Sequence, residues 1–510
     1  MNEMKETEKK DPEPPETWDR CHAYMKQKKR FCRQQRQNDS IYCGNHQHLQ
    51  VNLQSKRKRI PCPLDPSHMI YEDQLNKHLP ICPKTKKRKR QEDSHYYKEN
   101  VNAGGHGDIS CPAISPTKTD THSWAQKLAL RVLMVHQQVF GNSATKDVTK
   151  LTFSDLHDAI EMRDFSRQEM DAGIEKGFQS HRIKAGGSRH VPQIASLVGH
   201  LRDIEAIPRI QTTKGKNSLG SAEPLLLLEM GAGRGMFGLT ASGVAGSAGL
   251  DTHLMMVERT GTRGKADKIF RSLAKQEESS SYLELDKVKW SRINCDLLHI
   301  YLPDLLEKDY ELKRAKVVVI AKHLCGVGTD LALKAMEPIK ERVSACVLAT
   351  CCHGVCNWCD YVGRGFLCEK MKEEDLTTFG EDEFNLMRQW CAGAVACQDE
   401  LQTRIRQGEI SNTDDQPEEV VEHSVSNVND TDATPIRVNI SAIVSSLNLA
   451  CGVQGLGRAC QRLIDYGRSE YLRNIIYENQ KSSTVNLCHY IPNGVTPQNA
   501  VLVACKKGQN

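Results

Sequence analysis

Long hydrophobic runs are absent from the sequence. No apolar segment approaches the roughly 20 residues that a membrane-spanning helix requires, and the mean hydropathy of the chain is −0.54. The first residues, MNEMKETEKKDPEPPET, are charged and rich in proline, a pattern unlike that of a secretory or transit signal. These absences exclude a membrane protein and predict an intracellular one, located in the nucleus, the cytoplasm or both.

A disulfide framework is also not expected. The chain contains 20 cysteines, but disulfides are rare in a reducing intracellular compartment. We therefore expect these cysteines to be metal ligands, catalytic thiols or buried thiols. The 510 residues contain no internal repeat and are too many for a single core, so two or three folded units are expected.

Positive charge is concentrated near the start of the sequence. Between Arg20 and Arg90 there are 18 lysines and arginines against 4 aspartates and glutamates, whereas the whole chain has a formal net charge of only +5. A basic arm on an otherwise acidic body indicates a polyanionic partner such as a nucleic acid. The tracts KRKR (56–59) and KTKKRKR (84–90) equally fit nuclear-import signals, and the two roles are compatible.

Four potential zinc ligands occur together in one short segment of this basic arm. Cys62, His68, His78 and Cys82 form the pattern C-x5-H-x9-H-x3-C. Two thiolates and two imidazoles suit tetrahedral Zn²⁺, and a fragment this short needs the metal to fold. His78 and Cys82 are four residues apart, so a short helix would place them on one face. The sequence therefore predicts a CHHC zinc finger.

A second Cys/His module lies upstream of the first. Cys21, Cys32, Cys43 and His46 form C-x10-C-x10-C-x2-H, which predicts another structural zinc site, of the CCCH type. His48 is an alternative to His46 as the fourth ligand. A basic linker with free thiols would not explain four ligands at such spacing.

Downstream of Pro224 the sequence alternates short apolar runs with helix-like stretches. Apolar runs of this length, spaced by helix-sized segments, are typical of buried parallel strands. A helix near 455–477 precedes the last two runs, which we interpret as a hairpin that completes the sheet. The prediction is an α/β fold with a Rossmann-like sheet of seven strands. The seven runs are LLLLEM (225–230), HLMMVER (253–259), KWSRINCD (289–296), KVVVIAKHLCG (316–326), ACVLATCCH (345–353), LCHYIP (487–492) and NAVLVAC (499–505).

A glycine-rich turn follows the first of these runs. Glu229, Gly231, Gly233 and Gly235 form E-x-G-x-G-x-G, and glycines allow a tight turn and close approach of a ligand to the backbone. The next helix offers its amino terminus to the ligand. Gly238 permits a loose match to the G-x-G-x-x-G pattern of dinucleotide folds. The acidic residue and the tight glycine spacing favour S-adenosyl-L-methionine over NAD.

Two acidic residues at the ends of the next two strands support an adenosyl cofactor. Glu258 follows the second run, where a carboxylate can accept both ribose hydroxyls. Asp296 follows the third run, where it can accept the adenine amino group. Each acid alone also fits a solvated loop, but their register with the glycine turn after successive strands predicts an S-adenosyl-L-methionine site.

Reactive side chains cluster at the ends of the fourth and fifth strands. The fourth strand delivers Lys322 and His323, and the fifth is followed by His353. Ligands of open α/β sheets bind at this edge. Methyl transfer requires alignment of the acceptor and removal of its proton, so these residues are candidate catalytic groups for an oxygen acceptor such as a ribose hydroxyl. The Asn/Asp-Pro-Pro-aromatic loop that usually serves an exocyclic base amine is absent.

The cysteines at the same strand ends leave two alternatives open. A thiolate at Cys325 or Cys351 would suit methylation of cytosine C5, which requires a covalent adduct. A series just after the fifth strand also has spacing that fits a metal, although such cysteines are more often buried apolar groups and the histidine also fits a structural role. The members of that series are Cys351, Cys352, His353, Cys356 and Cys359.

These features divide the chain into segments of different character. The stretch 407–436 contains 8 acidic residues and no lysine or arginine, which predicts a disordered insertion. Apolar spacing upstream of Ile207 is helical. The predicted segments are a disordered start (1–19), the CCCH module (20–50), the CHHC finger (60–83), a basic and polar linker (84–118), a helical connector (119–207) and the α/β domain (208–510) with its acidic insertion (407–436).

Taken in order, these motifs resemble those of one family, the eukaryotic tRNA 2′-O-ribose methyltransferases that modify nucleotide 4 of the acceptor stem. Members of that family combine a CCCH finger, a CHHC finger of a kind also found in a minor-spliceosome protein, and a class I methyltransferase domain. The match covers nearly the whole chain. The matching stretches are YCGNH (42–46), the CHHC finger, EMGAGRG (229–235), VER (257–259) with Arg263, Lys265 and Asp267, KHLCGVGTDLAL (322–333), TCCHGVCNW (350–358) and RLIDYGRSEYL (462–472).

The resemblance implies S-adenosyl-L-methionine as the donor and the 2′-hydroxyl of nucleotide 4 in tRNAs for proline, glycine and histidine as the acceptor. The donor-site residues that it implies are Glu229, Gly231, Gly233, Gly235, Glu258 and Asp296. The roles of Lys322 and His323 come from this sequence alone. Two departures from the family pattern are mild: Met230 replaces an aromatic residue and Arg234 replaces a lysine. The insertion 407–436 is also longer than typical, which we attribute to a surface loop.

Two other classes of protein fit parts of the sequence. One is a non-catalytic scaffold that the fingers recruit to RNA, and the other is a DNA-binding regulator, which would leave the large domain idle. A dead enzyme has no reason to keep Glu229, Glu258 and Asp296 together with a glycine turn. The expectation is therefore an RNA-binding enzyme that works on the tRNA acceptor stem without an obligate protein partner.

Overall fold

The structure of the protein is a computed structural model. Nearly all of the predicted disordered start, 1–18, and the whole acidic insertion, 407–436, lie outside the described residues. The chain forms two compact units, Met1–Ser94 and His95–Asn510. The described residues are 19–25, 30–37, 40–44, 46, 49, 59–104, 121–141, 145–163, 168–180, 190–208, 223–260, 265–273, 283–285, 288–308, 310–372, 379–394, 438–478 and 482–506.

Two small antiparallel pairs of strands organise the first unit. Strand β1 pairs with β2, and β3 pairs with β4. The buried side chains of each pair are mainly cysteines, and cores of this size need a metal or another cross-link to fold. The elements of this unit are β1 (Tyr24–Met25), β2 (Arg30–Phe31), β3 (Arg59–Cys62), β4 (Asp65–Tyr71), α1 (Leu75–His78) and α2 (Pro83–Glu92).

Helix α2 is an exposed basic helix. It begins at Pro83, a residue favoured at the first helical position, and its sequence PKTKKRKRQE has no buried side chain. Lys89 and Arg90 lie in the last turn, where positive charge is favourable to the helix dipole. The segment predicted as a basic linker therefore begins with a helix.

A seven-stranded sheet forms the centre of the second unit. Its strand order is β10-β11-β9-β8-β5-β6-β7. Strands β5 to β9 are mutually parallel, and β11 is antiparallel to both of its neighbours. The predicted α/β fold with seven strands is confirmed. The strands are β5 (Leu225–Met230), β6 (Thr252–Val257), β7 (Lys289–Ile293), β8 (Lys316–Cys325), β9 (Val343–Cys351), β10 (Ser483–His489) and β11 (Ala500–Lys506).

Helices cover both faces of this sheet. None of the described helices has the length and apolar character needed to cross a membrane. The last helix continues as a π-helical turn, Leu472–Ile476. The helices are α3 (Thr121–Phe140), α4 (Phe153–His157), α5 (Gln168–Ser180), α6 (His190–Asp203), α7 (Met236–Ser247), α8 (Lys265–Leu273), α9 (Leu302–Glu307), α10 (Tyr310–Lys313), α11 (Val327–Met336), α12 (Arg364–Lys370), α13 (Glu381–Trp390), α14 (Ile440–Ser446) and α15 (Gly452–Tyr471).

The strands are continuously apolar because both faces of the sheet are buried. In β5, Leu227 packs into a core shared with α6 and α7, whereas Leu228 packs into a core shared with α9 and α11. A third core joins α3, α13 and α15. The helices in the segment predicted as a connector therefore pack into the cores of the sheet unit. The chain order of the strands reverses between β5 and β8, and ligands of open α/β sheets bind at such a switch point.

Candidate active site and zinc centres

The glycine turn after β5 has a backbone that glycine favours. Gly231, Gly233 and Gly235 have φ angles of +62°, +47° and +71°, in the left-handed region that residues with a Cβ disfavour. A Cβ on Gly235 would lie 2.5 Å from Sδ of Met256, whereas a Cβ on Gly233 would meet no heavy atom within 4 Å. The main chain at Gly233 therefore faces open space from which a ligand can approach.

Glu258 is hydrogen-bonded to this turn. Its Oε2 accepts a hydrogen bond from the Gly233 amide at 2.8 Å. Its Oε1 accepts hydrogen bonds from the amide and the hydroxyl of Thr260, both at 2.9 Å. Because each carboxylate oxygen has about two acceptor positions, Oε2 can still accept a ribose hydroxyl, whereas Thr260 already occupies Oε1. The ends of β5 and β6 are thus joined into one polar wall.

Asp296 stands at the neighbouring strand end, after β7. Its Oδ1 accepts a hydrogen bond from the amide of Leu298 at 3.1 Å, and its Oδ2 lies 3.7 Å from Nε of Arg259. The side chain of Asp296 is 29% exposed, so a ligand can still contact it. Since Arg259 directly follows Glu258, the two predicted acids lie at adjacent strand ends.

Glu229 differs from these acids because it is buried beneath the turn. Its exposed fraction is 3%, and this burial raises the pKa of its carboxyl to about 8. The Gly238 amide and the positive charges of Arg292 and Lys322 partly offset the increase. A Cβ on Gly238 would collide with the Glu229 carboxylate. The lack of a side chain at Gly238 therefore leaves room for the Glu229 carboxyl.

The end of β8 places a lysine beside the glycine turn. Nζ of Lys322 lies 3.2 Å from Nδ1 of His190, the first residue of α6. The lysine charge also acts on Glu229 at the end of β5. Lys322 therefore lies at the switch point between β5 and β8. Sequence reasoning did not identify His190, because no motif links it to a lysine 132 positions later.

A bulge interrupts β8 between Lys322 and Leu324. His323 occupies this bulge with a φ angle of +62°, a conformation that costs energy for a residue with a Cβ. Its side chain is exposed. Backbone strain and bulges are enriched next to active sites. The observed geometry is therefore compatible with a functional role for His323.

Three thiols meet where β8 and β9 end, and we call Cys325, Cys351 and Cys352 the thiol cluster. The Sγ atoms of Cys325 and Cys351 lie 3.3 Å apart, and all three Sγ atoms lie within 4.8 Å of one another. Hydrogen bonds from the other two thiols lower the pKa of Cys352 to about 3. The contact with Cys325, the contact with Cys352 and burial raise the pKa of Cys351 well above its usual value. Cys351 is also only 2% exposed, so its thiol is poorly placed for attack on cytosine.

His353 lies behind this edge rather than on it. Its exposed fraction is 2%, and its Nε2 lies 2.9 Å from Oδ2 of Asp465. The Thr350 hydroxyl donates a hydrogen bond to the same carboxylate oxygen at 2.9 Å. A side chain enclosed in this way cannot contact a substrate. The prediction of His353 as a catalytic residue is therefore replaced by a supporting role at the end of β9.

Helix α15 supplies the rest of a buried ionic network around Asp465. Arg468 donates to both carboxylate oxygens of Asp330, at 2.6 and 3.1 Å, and to Oδ1 of Asp465 at 3.1 Å. It also donates to the carbonyl of Gly326 at 3.0 Å and to Sγ of Cys356 at 3.2 Å. The side chains of the two acids and of Arg468 are fully buried. The network ties α11 and the loops after β8 and β9 to α15.

The four predicted ligands of the CHHC finger surround one point. His78 Nε2 lies 3.3 Å from Cys62 Sγ and 3.0 Å from His68 Nε2. Cys82 Sγ lies 3.8 Å from His68 Nε2 and 3.9 Å from Cys62 Sγ. Zinc bonds of about 2.0–2.3 Å in a tetrahedron place ligand atoms roughly 3.3–3.8 Å apart. The four side chains are therefore arranged for a zinc ion.

The CCCH module brings its predicted ligands together in the same way. His46 Nδ1 lies 3.3 Å from Cys43 Sγ and 3.4 Å from Cys21 Sγ. Cys32 completes a group whose four ligand atoms lie within 4.8 Å of one another. His46 is thus arranged as the fourth ligand, and the alternative, His48, lies outside the described residues.

Three family models match the chain. The model described as "Methyltransferase TRM13" matches residues 192–505, more than half of the chain. The chain belongs to the TRM13 methyltransferase family. Models described as "CCCH zinc finger in TRM13 protein" and "U11-48K-like CHHC zinc finger" match residues 19–47 and 59–83, which contain the two zinc centres described above.

Curated relatives match along nearly the whole length. A protein of Mus musculus named "tRNA:m(4)X modification enzyme TRM13 homolog" is 26% identical over 95% of this chain and 94% of its own length. A protein of Saccharomyces cerevisiae named "tRNA:m(4)X modification enzyme TRM13" is 26% identical over 96% of both chains. The similarity therefore includes the fingers as well as the sheet unit.

Membership of the TRM13 family confirms the resemblance drawn from the motifs and the predicted class of enzyme. A methyltransferase implies S-adenosyl-L-methionine as the donor. The residues present fit that group, because the main chain at Gly233 is open to a ligand and Glu258 and Asp296 retain acceptor capacity. The matching finger models and the Cys/His groups likewise support the two predicted zinc sites.

Proposed function

We propose that this TRM13 family member methylates the ribose 2′-oxygen of nucleotide 4 in the acceptor stem of tRNA. The tRNAs for proline, glycine and histidine are the substrates that the sequence resemblance favours. The names of the relatives, tRNA:m(4)X modification enzymes, support tRNA and position 4. The observation that carries the chemistry is the amine of Lys322, which lies at the switch point beside the glycine turn.

The ends of β5, β6 and β7 would hold the donor. We assign Glu258 to a ribose hydroxyl, Asp296 to the adenine amino group and the open main chain at Gly233 to close backbone contact. Glu229, beneath the turn, would release its proton when the cationic donor binds and then supply negative charge to it. When bound, S-adenosyl-L-methionine supplies an electrophilic methyl group on its sulfonium.

Lys322 is the residue that we assign to the acceptor. A ribose hydroxyl is a poor nucleophile, so a basic or cationic group at its oxygen accelerates methylation. In its neutral form, the Lys322 amine would accept a hydrogen bond from the 2′-hydroxyl and take up its proton while the new oxygen–carbon bond replaces the methyl–sulfur bond of the donor. His323, exposed at the bulge of β8, is our second candidate for contact with the acceptor nucleotide.

The first unit would hold the RNA. Its two zinc fingers and the exposed basic helix α2 offer a polycation to the phosphate backbone, and such binding is sensitive to salt. An A-form acceptor stem is recognised mainly by shape and 2′-hydroxyls, because its major groove is deep and narrow. The same basic tracts fit nuclear import, so we place the protein in the nucleus, the cytoplasm or both.

The test of this function is direct identification of the product. The purified full chain is incubated with S-adenosyl-L-methionine and unmodified transcripts of tRNA for proline, glycine and histidine, and the digested RNA is analysed by mass spectrometry. The proposal expects one ribose-methylated nucleoside that maps to position 4. A base-methylated product would contradict the assigned acceptor and direct attention to the thiol cluster, and absence of any product with all three tRNAs would contradict the proposed substrate.

Replacement of Glu229 by glutamine is expected to stabilise the cofactor-free protein at alkaline pH. The folded-state pKa of about 8 exceeds the ordinary value of 4.5, so the folded state retains a proton that the unfolded chain releases. The folded state therefore loses stability as the pH rises from about 4.5, the ordinary pKa of the side chain, to about 8. Above that pH, Glu229→Gln should raise the free energy of unfolding by on the order of 5 kcal/mol. Thermal melts across this pH range measure the effect.

Glu223→Gln is the matched control, because Glu223 is an exposed carboxyl just before β5. It should leave the pH dependence of the melting temperature unchanged. Glu229→Gln should also weaken S-adenosyl-L-methionine binding in calorimetry, since the cationic donor loses a carboxylate partner. If the melting temperatures of Glu229→Gln and the wild type differ by the same amount at acidic and alkaline pH, burial does not raise the pKa of Glu229 as we infer.

Loss of the CHHC zinc ion is expected to weaken tRNA binding without unfolding the methyltransferase unit. Cys62→Ser removes one of the four ligands, and a core this small does not fold without metal. We expect roughly a tenfold weaker affinity for tRNA at moderate salt, because several phosphate contacts are lost together. Filter binding measures the affinity, with Cys359→Ser as the control. An unchanged affinity in Cys62→Ser would show that this finger does not hold RNA.

A further inference from the structure

The thiol cluster brings together three soft ligands that are distant in sequence. Cys325 is the last residue of β8 and Cys351 is the last residue of β9, and the two are direct partners in the parallel register. Cys352 follows immediately. The three Sγ atoms all lie within 4.8 Å of one another, and the Cys325 and Cys351 Sγ atoms are 3.3 Å apart, close to the separation of ligands that share one tetrahedral metal ion.

The exposure of the thiol cluster argues against simple hydrophobic packing. Free cysteine is usually a buried small apolar group, and Cys351 fits that description. Cys325 and Cys352, however, are both exposed. These two exposed thiols converge with the buried Cys351 and form an accessible soft site at the carboxyl edge of the sheet.

The backbone holds this arrangement in an unusual conformation. Cys352 has a φ angle of +51°, in the left-handed region that costs energy for residues with a Cβ. His323, at the bulge of β8, has a φ angle of +62°. The Gly326 amide donates to the carbonyl of Cys351 at 3.1 Å, which fixes the two strand ends relative to each other. A metal–thiolate bond would compensate for strain of this kind.

The cysteines that are closer in sequence do not share this site. Cys356 is buried, and its Sγ accepts a hydrogen bond from Arg468. His353 is in contact with Asp465. Cys359 is exposed but does not belong to the group of converging Sγ atoms. The thiol cluster therefore differs from the ligand set that spacing after β9 suggested: it adds Cys325 and leaves out His353, Cys356 and Cys359.

We propose that the thiol cluster binds a Zn²⁺ ion through Cys325, Cys351 and Cys352, with a fourth position that is open to water. Three thiolates suit Zn²⁺ among the divalent ions. The ion would cross-link the ends of β8 and β9 directly after the bulge that carries Lys322 and His323. This third zinc site is separate from the two fingers and does not depend on which substrate the enzyme methylates.

The test combines metal content with the reactivity of individual thiols in the full chain, purified without chelator. Inductively coupled plasma mass spectrometry should find about three zinc ions per chain, two in the fingers and one in the thiol cluster. Iodoacetamide labelling followed by peptide mass spectrometry should show Cys325 and Cys352 protected despite their exposure. A chelator without reductant should make both reactive. Cys359, exposed and outside the thiol cluster, should be labelled throughout.

Variants separate this site from the fingers. Cys352→Ser should lower the zinc content by one ion and leave tRNA binding unchanged, whereas Cys359→Ser should retain all zinc. Cys62→Ser should also lose one ion but keep Cys325 protected. The wild-type labelling pattern decides the question even if Cys352→Ser fails to fold. Two results would overturn the proposal. The first is a zinc content of only two ions per chain together with free labelling of Cys325 and Cys352. The second is protection of these cysteines that is removed by a reductant but not by a chelator, because that result indicates a disulfide.

Discussion

Replacing Lys322 by alanine is expected to lower the rate of methyl transfer by about 10²–10⁴-fold, the range typical of a general base. The physical reason is position, because the Lys322 amine lies at the switch point of the sheet, 3.2 Å from His190 and within electrostatic reach of Glu229. Single-turnover transfer of labelled methyl groups to tRNA measures the rate. Calorimetry with S-adenosyl-L-methionine should show no more than a small loss of donor affinity.

Lys316→Ala provides a matched control for this prediction. Lys316 is an exposed lysine at the opposite end of the same strand, so its loss removes the same charge far from the switch point. The rate of methyl transfer by Lys316→Ala should stay within about threefold of the wild-type rate. His190→Ala should have a smaller effect than Lys322→Ala, because His190 acts through the lysine. If Lys322→Ala retains a near wild-type rate, another residue handles the acceptor proton, and His323 is the next to replace.

Replacing Arg468 by methionine is expected to lower the free energy of unfolding of the second unit by about 3–5 kcal/mol. Burial raises the pKa of Asp330, and the charge of Arg468 counteracts that rise. Burial would also raise the pKa of Asp465, but His353 and the arginines hold it well below its usual range. Loss of Arg468 therefore leaves buried acids without their main partner. Urea denaturation measures the change.

Arg473→Met is the control for this second prediction. Arg473 is half-buried, with a side chain that is 33% exposed, pairs with Glu470 and also donates to the Val485 carbonyl, so its loss should lower the free energy of unfolding by only about 1 kcal/mol. The double variant Arg468→Met/Asp330→Asn should recover part of the lost stability, because it removes the unpaired buried charge. Equal stability of Arg468→Met and Arg473→Met would show that the buried network contributes little.

The sheet was predictable where both of its faces are covered. The apolar run 225–230 coincides with β5, since every residue of that strand is buried. The run 487–492 was displaced relative to β10, which spans Ser483–His489. The first residues of β10, STVN, are only half-buried because the strand lies at the edge of the sheet. Polar residues are tolerated at such an edge, so hydrophobicity did not reveal where the strand begins.

The parts of the site that lie within single motifs were predictable, whereas contacts across the sheet were not. Glu258 and Asp296 follow successive strands, so their adjacency follows from the parallel order of the strands. The thiol cluster depends on the register that sets Cys325 beside Cys351. His190 reaches Lys322 from a helix that no motif marks. Spacing along the chain does not specify such pairs, because they are set by which strands and helices are packed together.

The position of β11 has a consequence for synthesis on the ribosome. This strand lies between β9 and β10, yet in the sequence it follows β9 only after the chain from Cys352 to Asn499 has been made. At about 5–20 residues per second, the outer edge of β9 stays unpaired for roughly 7–30 seconds on the nascent chain. An open apolar strand edge is a template for aggregation. We therefore expect newly made molecules to need chaperone protection during this interval.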